Sequence, residues 1–269
     1  MIRQLRFIFL GCGLVLSIST MAQDTWTFGV VPQQSAQELA ENWQPLFDEV
    51  AKLSGKKLLF RTAPTIPEFE ARLAKGEYDF AYMNPYHFTL FSETAGYHAL
   101  ARARDKRIKG IIVVHKDHPA GTLEDLSIVN MAFPAPLAFA ATILTQAHLN
   151  QANVEFKPSY VRTHDSVYLT VANGLFEAGG GVSRTFNNMP EETREQLRIL
   201  WTSPGYTPHA VAFHESVREE TYQAVVSALV GLNTSEAGED VLKNLGLLGF
   251  VRAQFSDWDD VRALNIAQD

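Results

Sequence analysis

Two α/β lobes joined by two extended crossovers, with a ligand cleft between them, is the fold class this sequence predicts. Three observations carry it. A nine-residue phrase is stated twice, as Leu73-Ala74-Lys75-Gly76-Glu77-Tyr78-Asp79-Phe80-Ala81 and as Val171-Ala172-Asn173-Gly174-Leu175-Phe176-Glu177-Ala178-Gly179. Each ends a helical pattern at a glycine suited to the left-handed conformation, then enters an apolar, strand-like run holding one carboxylate. The glycines at 76 and 174 lie 98 positions apart, which suits two similar lobes better than a short stacked repeat. Finally, turn-rich stretches at 114–119 and 203–210 break the α/β alternation where a chain would cross between lobes.

The first 22 residues read as a secretory signal. Arg3 and Arg6 precede an apolar stretch from Phe7 to Ile18, too short to span a bilayer comfortably, and Ser19-Thr20-Met21-Ala22 offers small residues for cleavage. Gly11-Cys12 raises lipid attachment as a competing reading. That cut would leave apolar Gly13 to Ile18 on the mature end, so ordinary export to the periplasm is expected. Cleavage after Ala22 removes the single cysteine, so the mature chain needs a core rather than disulfides. Removing Arg3 and Arg6 from the 23 basic residues leaves 21 against 30 acidic ones, a formal charge of −9. An acidic chain without a long uninterrupted basic run is not expected to bind nucleic acid, and a monomer is expected.

Taken in order, residues 26–31 form an apolar strand stopped by Pro32. Ser35-Ala36-Gln37-Glu38 has capping-box form, and Leu39, Trp43, Leu46, Phe47, Val50 and Leu53 recur at helical spacing until Gly55. Pro45 should kink this helix or begin a second segment. A strand follows at 58–61. Thr65-Ile66-Pro67-Glu68 caps another helix, and the first phrase delivers a strand at 78–83. Asn84-Pro85 should then start a helix at that strand's carboxyl end, where open α/β sheets bind ligands. Residues 111–115 read as the strand leading out of lobe one. The second series comprises strand 128–133, helix 136–149, strand 154–161, helix 164–172 and strand 176–182. Gly179-Gly180-Gly181 in its last strand implies a bulge or a close approach to the backbone. Strands at 198–202 and 210–213 follow, and Ser216-Val217-Arg218-Glu219 should cap a long helix running to Leu232. The expected organisation is therefore a signal at 1–22, lobe one at 23–115, lobe two at 116–203, and a return into lobe one over 204–269.

Over residues 28–248 the chain resembles the phosphate/phosphite/phosphonate-binding (PhnD-like) family of periplasmic proteins that serve ABC importers. Trp43-Gln44-Pro45-Leu46, Lys75-Gly76-Glu77-Tyr78-Asp79, His164-Asp165, Val171-Ala172-Asn173-Gly174 and Trp201-Thr202-Ser203-Pro204-Gly205-Tyr206 carry the resemblance by order and spacing. It implies a type II-like periplasmic binding fold that closes on a small, anionic ligand and delivers it to a membrane permease. It also implies a phosphoryl or phosphonyl site at a helix start in lobe two, where the family has a Ser-Thr-Ser-Gly run. Here Ala138, Phe139 and Ala140 occupy the three hydroxyl positions, which argues against simple phosphonates as ligands. Tyr82, Asn84, Tyr86 and His87 from lobe one, His164 and Asp165 from lobe two, and Tyr206 near the crossover are the other expected pocket residues. Hydroxyls and imidazole can donate to an oxyanion, while Asp165 would orient His164 or accept from a ligand cation. Arg184 could clamp a carboxylate.

Enzymatic chemistry is not expected. His164-Asp165-Ser166 holds triad residue types, but neighbours in one helical turn do not form a relay. His115 and His118 lack a third metal ligand, His214-Glu215 lacks a second histidine, and no phosphate-cradling loop is present, so neither metal nor cofactor is expected. The alternative role is a periplasmic sensor that docks on a membrane receptor or histidine kinase.

Overall fold

The computed structural model describes residues 25–126, 128–264 and 266, so the signal and lipid-attachment readings lie outside the described residues. The first series runs β1 (Thr25–Val30), α1 (Ala36–Ser54), β2 (Lys57–Arg61), α2 (Ile66–Ala74) and β3 (Phe80–Met83). Ser35 caps α1 by accepting from the Glu38 amide at 3.2 Å, and Leu39, Trp43, Leu46, Phe47 and Val50 form its buried stripe. Pro45 does not divide it: α1 is continuous from Ala36 to Ser54. Residue 45 and the Glu41 carbonyl it leaves unpaired both lie on the exposed face, where water can satisfy that oxygen.

Next come α3 (Pro85–Thr94), β4 (Tyr97–Ala103), β5 (Gly110–His115) and β6 (Val129–Phe133), then a π-helical turn, Phe139–Ile143, leading into α4 (Leu144–Gln151). β7 (Phe156–Tyr160), α5 (His164–Ala172), β8 (Ala178–Val182), α6 (Ser183–Asn187), α7 (Glu191–Arg194) and β9 (Leu197–Thr202) follow. The chain finishes with β10 (Ala210–His214), α8 (Glu219–Gly231), α9 (Glu236–Asn244), β11 (Phe250–Arg252) and α10 (Asp259–Arg262).

Among the described residues these strands form two sheets, ordered β11-β4-β10-β3-β1-β2 and β7-β6-β8-β5-β9. The parallel parts repeat one topology. β1 lies between β2 and β3 in the first sheet, as β6 lies between β7 and β8 in the second. The twice-stated phrase occupies equivalent places, at the end of α2 entering β3 and at the end of α5 entering β8. Gly76 and Gly174 adopt φ of 64° and 69° there, the left-handed stop that a Cβ would strain. The carboxylates also match in role. Asp79 accepts from the Thr27 amide of β1 at 2.7 Å, and Glu177 accepts from the Asn130 amide of β6 at 3.4 Å.

β5 corrects the expected lobe boundary. It pairs antiparallel with β8 and β9, so residues 110–115 belong to the second sheet rather than leading out of the first. Its alternate side chains explain the placement: Ile111 and Val113 enter one apolar cluster with Tyr168 and Val171, while Ile112 and Val114 enter another with Met131 and Phe133. The first crossover is therefore residues 104–109, and it pairs through Ile108 with Tyr206 of the second. Beyond it, β10 inserts between β3 and β4, and β11 adds to the first sheet's edge.

Two further expectations are revised. The glycine triplet causes no bulge: β8 pairs residue by residue with β5 from Ala178 to Val182. The glycines serve close approach instead, since a Cβ on Gly180 would lie 2.0 Å from the Ala141 carbonyl oxygen. Ser216 does not cap the late helix. It bonds the His214 ring at 2.8 Å, and α8 begins at Glu219 after Arg218.

Candidate functional site

The carboxyl ends of β1, β3, β6 and β8 converge where the two sheets face each other, the usual ligand position in such folds. From lobe one, the loop after β1 contributes Gln33 and the start of α3 contributes Asn84. From lobe two come the π-helical turn, His164 at the start of α5, and Arg184 just after β8. These elements touch directly. Arg184 donates to the Gln33 side-chain oxygen at 2.5 Å, and Asn84 donates its amide to the Leu137 carbonyl at 3.0 Å. The His164 backbone amide donates to the Gln33 carbonyl at 3.4 Å.

The expected anion position is occupied by protein. Ala138, Phe139 and Ala140 are all buried, and with Ala135, Ala141, Leu144 and Val182 they join the large apolar cluster built mainly from lobe one. The Phe139 ring meets Tyr206 edge-on, with centroids 5.8 Å apart and planes at 89°. The cavity left there, lined by Gln33, Asn84, residues 138–141, His164 and His209 among others, is about 10 Å³. That is room for about one water. Phe139 thus takes up most of the space where it lines the remaining cavity, and burying its ring is worth about 2–3 kcal/mol, shared between its contacts in both lobes.

A larger cavity of about 350 Å³ adjoins it on the crossover side, with Tyr82, Val182, Arg184 and His209 among its walls. Tyr82 stacks on His209 at 4.9 Å and leans on Trp43 at 4.6 Å. Burial raises the Tyr82 phenol's pKa, with Arg184 pulling the other way. Burial chiefly, and Arg184 next, hold His164 down at about 3 and His209 well below its ordinary value. Both imidazoles are therefore neutral at neutral pH. His164 Nδ1 and His209 Nε2 are buried without a hydrogen-bond partner among the described residues. Asp165 is pushed up to about 6, first by burial and then by the Glu38 carboxylate facing it from α1. Glu38 is itself raised by burial and by Glu41, partly offset by a bond from Gln34.

The other expected residues divide. Tyr82, Asn84, Ala138, Phe139, Ala140, His164 and Arg184 line one or other cavity. His87 does not. It is fully buried within lobe one, its Nε2 lying 2.8 Å from Glu70 and its ring packed near Phe69 and Phe91. On α3 that position turns inward to α2, a direction the Asn-Pro-Tyr-His run does not reveal. Tyr86 is buried at the same helix start and lines neither cavity, and Tyr206, partly buried, packs edge-on against Phe139 and lines neither cavity. Asp165 makes no bond to His164; it faces Glu38 across the lobes. Asn84 combines two roles, since it also caps α3 by accepting from the His87 amide at 2.8 Å.

Gln33, His209, Lys106 and Lys109 were not singled out from sequence. Their signals are weak but visible: Gln33 follows the proline that stops β1, and residues 102–109 carry five cations in eight positions. Among the described residues no group of three or more His, Cys, Asp or Glu side chains is placed to hold a metal ion.

Comparisons with known proteins agree with this architecture. A binding-protein component of an ABC phosphonate transporter from Pseudomonas aeruginosa superposes with a TM-score of 0.83 at 16% identity, over 90% of this chain and 86% of that one. PhnD1 from Prochlorococcus marinus, solved with methylphosphonate, gives 0.82 at 17% identity over 90% and 99%. A Xanthomonas citri protein solved with ATP gives 0.71 at 15% identity over 89% and 95%. These likenesses establish a type II-like periplasmic binding fold. Residues 28–258 match the family model described as "ABC transporter, phosphonate, periplasmic substrate-binding protein". With most of its length covered by that match, this chain belongs to the phosphonate family of periplasmic substrate-binding proteins of ABC transporters.

Proposed function

We propose that this chain is exported after cleavage near Ala22, remains monomeric, and captures a small anion between its lobes for an ABC permease. It would do so without catalysing a reaction, and simple phosphonates would be poor ligands. The carrying observation is Arg184. Its guanidinium is half-buried between two neutral imidazoles and bonds only the neutral Gln33 amide oxygen, with no carboxylate pairing it among the described residues. A desolvated cation without a counter-charge favours an anionic guest. The second half of the reading rests on Ala138-Phe139-Ala140, where three hydroxyl donors are replaced and the remaining cavity is about 10 Å³. Each charge-assisted bond of that kind is worth about 1.5–3 kcal/mol.

Calorimetry on the mature protein with phosphate, phosphite, methylphosphonate and 2-aminoethylphosphonate tests the selectivity. Dissociation constants weaker than about 10 μM, equivalent to about −7 kcal/mol, are expected for all four. Submicromolar binding of any one overturns it. The capture reading has its own test in a wider thermal-shift screen of small anions.

The sensor alternative draws on the direct bridges to Gln33 from Arg184 and the His164 amide, which join the two lobes beside the cleft. Stimulation of ATP hydrolysis by a reconstituted permease complex decides for transport. Stimulation of a membrane kinase instead decides for sensing.

A further inference from the structure

The family position is filled, yet a cavity of about 350 Å³ lies directly behind it, a volume within the range of small-molecule sites. Its walls are unlike the rest of this acidic chain. Lys106, Arg107 and Lys109 enter from the first crossover and Arg184 from the end of β8, while none of the lining residues is Asp or Glu. Arg107 is already engaged, donating to Asp260 at 2.7 Å. Lys106 and Lys109 have no ion-pair partner among the described residues, and Arg184 meets only Gln33. The floor is the stacked pair Tyr82 and His209. The latter is 5% exposed and its Nε2 has no hydrogen-bond partner among the described residues.

Three cations without carboxylate partners among the described residues, exposed Lys106 and Lys109 and half-buried Arg184, line one concave space with a buried unpaired imidazole and form a site for concentrated negative charge. We infer that this chain holds its solute in this crossover-side chamber, and that the solute is a small polyanion clasped by Lys106, Lys109 and Arg184. The inference rests on the solute-capture reading above and moves its binding site away from the helix start the family resemblance points to. Two features support that move. The chamber is walled by both crossovers, through Lys109 and Pro208, so an occupant touches the segments about which the lobes would turn. Arg184 also reaches Gln33 of the opposite lobe, so a guest on Arg184 is coupled to the bridge that holds the lobes together.

The test is calorimetry on the mature protein at low salt, with inorganic pyrophosphate and citrate as probes and acetate as the singly charged control. At least one probe should bind at least about tenfold tighter than acetate, and Lys106→Gln with Lys109→Gln should weaken that probe about tenfold or more. Arg184→Gln should do the same. Lys157→Gln, on an exposed strand remote from the chamber, should leave affinity unchanged, with thermal melts confirming that every variant is folded. Binding of pyrophosphate alone marks a phosphoryl ligand, and binding of citrate alone marks a carboxylate ligand; both support the chamber. Failure of both probes to bind overturns it, as does binding indifferent to the 106, 109 and 184 substitutions. Equal weakening by Lys157→Gln also overturns it, because the effect is then only overall charge. A hit in the wider anion screen that responds to substitutions at 138–140, but not at 106, 109 or 184, sinks the chamber while leaving solute capture intact.

Discussion

At the residue scale, the cleft is governed by which groups are kept uncharged. His164 and His209 sit beside a permanent guanidinium in a poorly solvated space, so they stay neutral and Arg184 remains the local charge. Asp165 has the opposite problem: raised to about 6 by burial and by Glu38, it is ionised at neutral pH at a cost. The sign follows directly. A carboxyl whose pKa is higher in the folded, lobe-closed protein stabilises that form below about pH 3.8, and the contribution is lost as pH rises through about 6. Asp165→Asn should therefore raise the melting temperature at pH 8, by an amount equivalent to about 1 kcal/mol after allowance for solvent screening, and give no gain at pH 4. Thermal melts at the two pH values check this. Loss of stability at pH 8 would show that the carboxylate has a partner that matters.

Residue identity was legible in the sequence where a side chain's role follows from its place in a motif. Asn84 before Pro85 announces a cap, and it is one; Ala138-Phe139-Ala140 announces lost donors, and the turn is apolar and buried. His87 was misplaced because a polar residue two positions into a helix can turn toward the cleft or into the lobe. Its choice depends on Glu70, seventeen residues earlier, which no local pattern encodes.

At the scale of elements, the π-helical turn at Phe139–Ile143 decides what the cleft can accept. It has no side-chain cap, and its backbone bonds already begin at the Ala138 carbonyl, which accepts from Thr142 at 2.7 Å and Ile143 at 3.4 Å. The combined substitution Ala138→Ser, Phe139→Thr, Ala140→Ser would restore three donors and remove the ring that fills the cavity. Methylphosphonate affinity should rise by about tenfold or more in calorimetry, since one charge-assisted bond of about 1.5 kcal/mol already accounts for that factor. An unchanged affinity would mean that the turn's geometry, and not its side chains, excludes the ligand.

The strand at 110–115 shows what pattern reading leaves open at this scale. Its apolar run is plain in the sequence, but a run buried on both faces carries no mark of which sheet it joins. Among the elements that pattern reading missed, β4 is rich in alanine and carries Arg102, so it lacks the β-branched signature that identified its neighbours. The repeated phrase was the better guide, because a left-handed glycine and a following carboxylate are local requirements that both lobes meet in the same way.

At the scale of the whole molecule, the two lobes are joined by more than their crossovers. Gln33 receives bonds from both Arg184 and the His164 amide, while Phe139 lies in the same apolar cluster as the first sheet. Gln33→Ala removes the Arg184 bond, while the His164 amide's bond to the residue-33 carbonyl, the Asn84 bond to Leu137 and the apolar contacts stay in place. Small-angle scattering on the Gln33→Ala protein should show a larger radius of gyration than the parent, and a polyanion bound in the crossover-side chamber should reduce the difference. Identical scattering curves without ligand would assign the clasp to Phe139 and the remaining Asn84 and His164 bonds rather than to Arg184.

The glycines opposite the π-helical turn have a consequence for how such a protein can change its diet. A Cβ on Gly110 would sit 2.2 Å from the Ala140 carbonyl oxygen, and one on Gly180 would sit 2.0 Å from that of Ala141. The turn is thus keyed into the second sheet by its backbone, through two notches that only a residue without a side chain leaves open. Its side chains at 138–140 take no part in that seating. Substitutions at 138–140 should therefore change what the turn presents to the cleft while its backbone stays keyed into the second sheet. The notches fix where the turn's backbone lies, and they set no requirement on which side chains it carries toward the cleft.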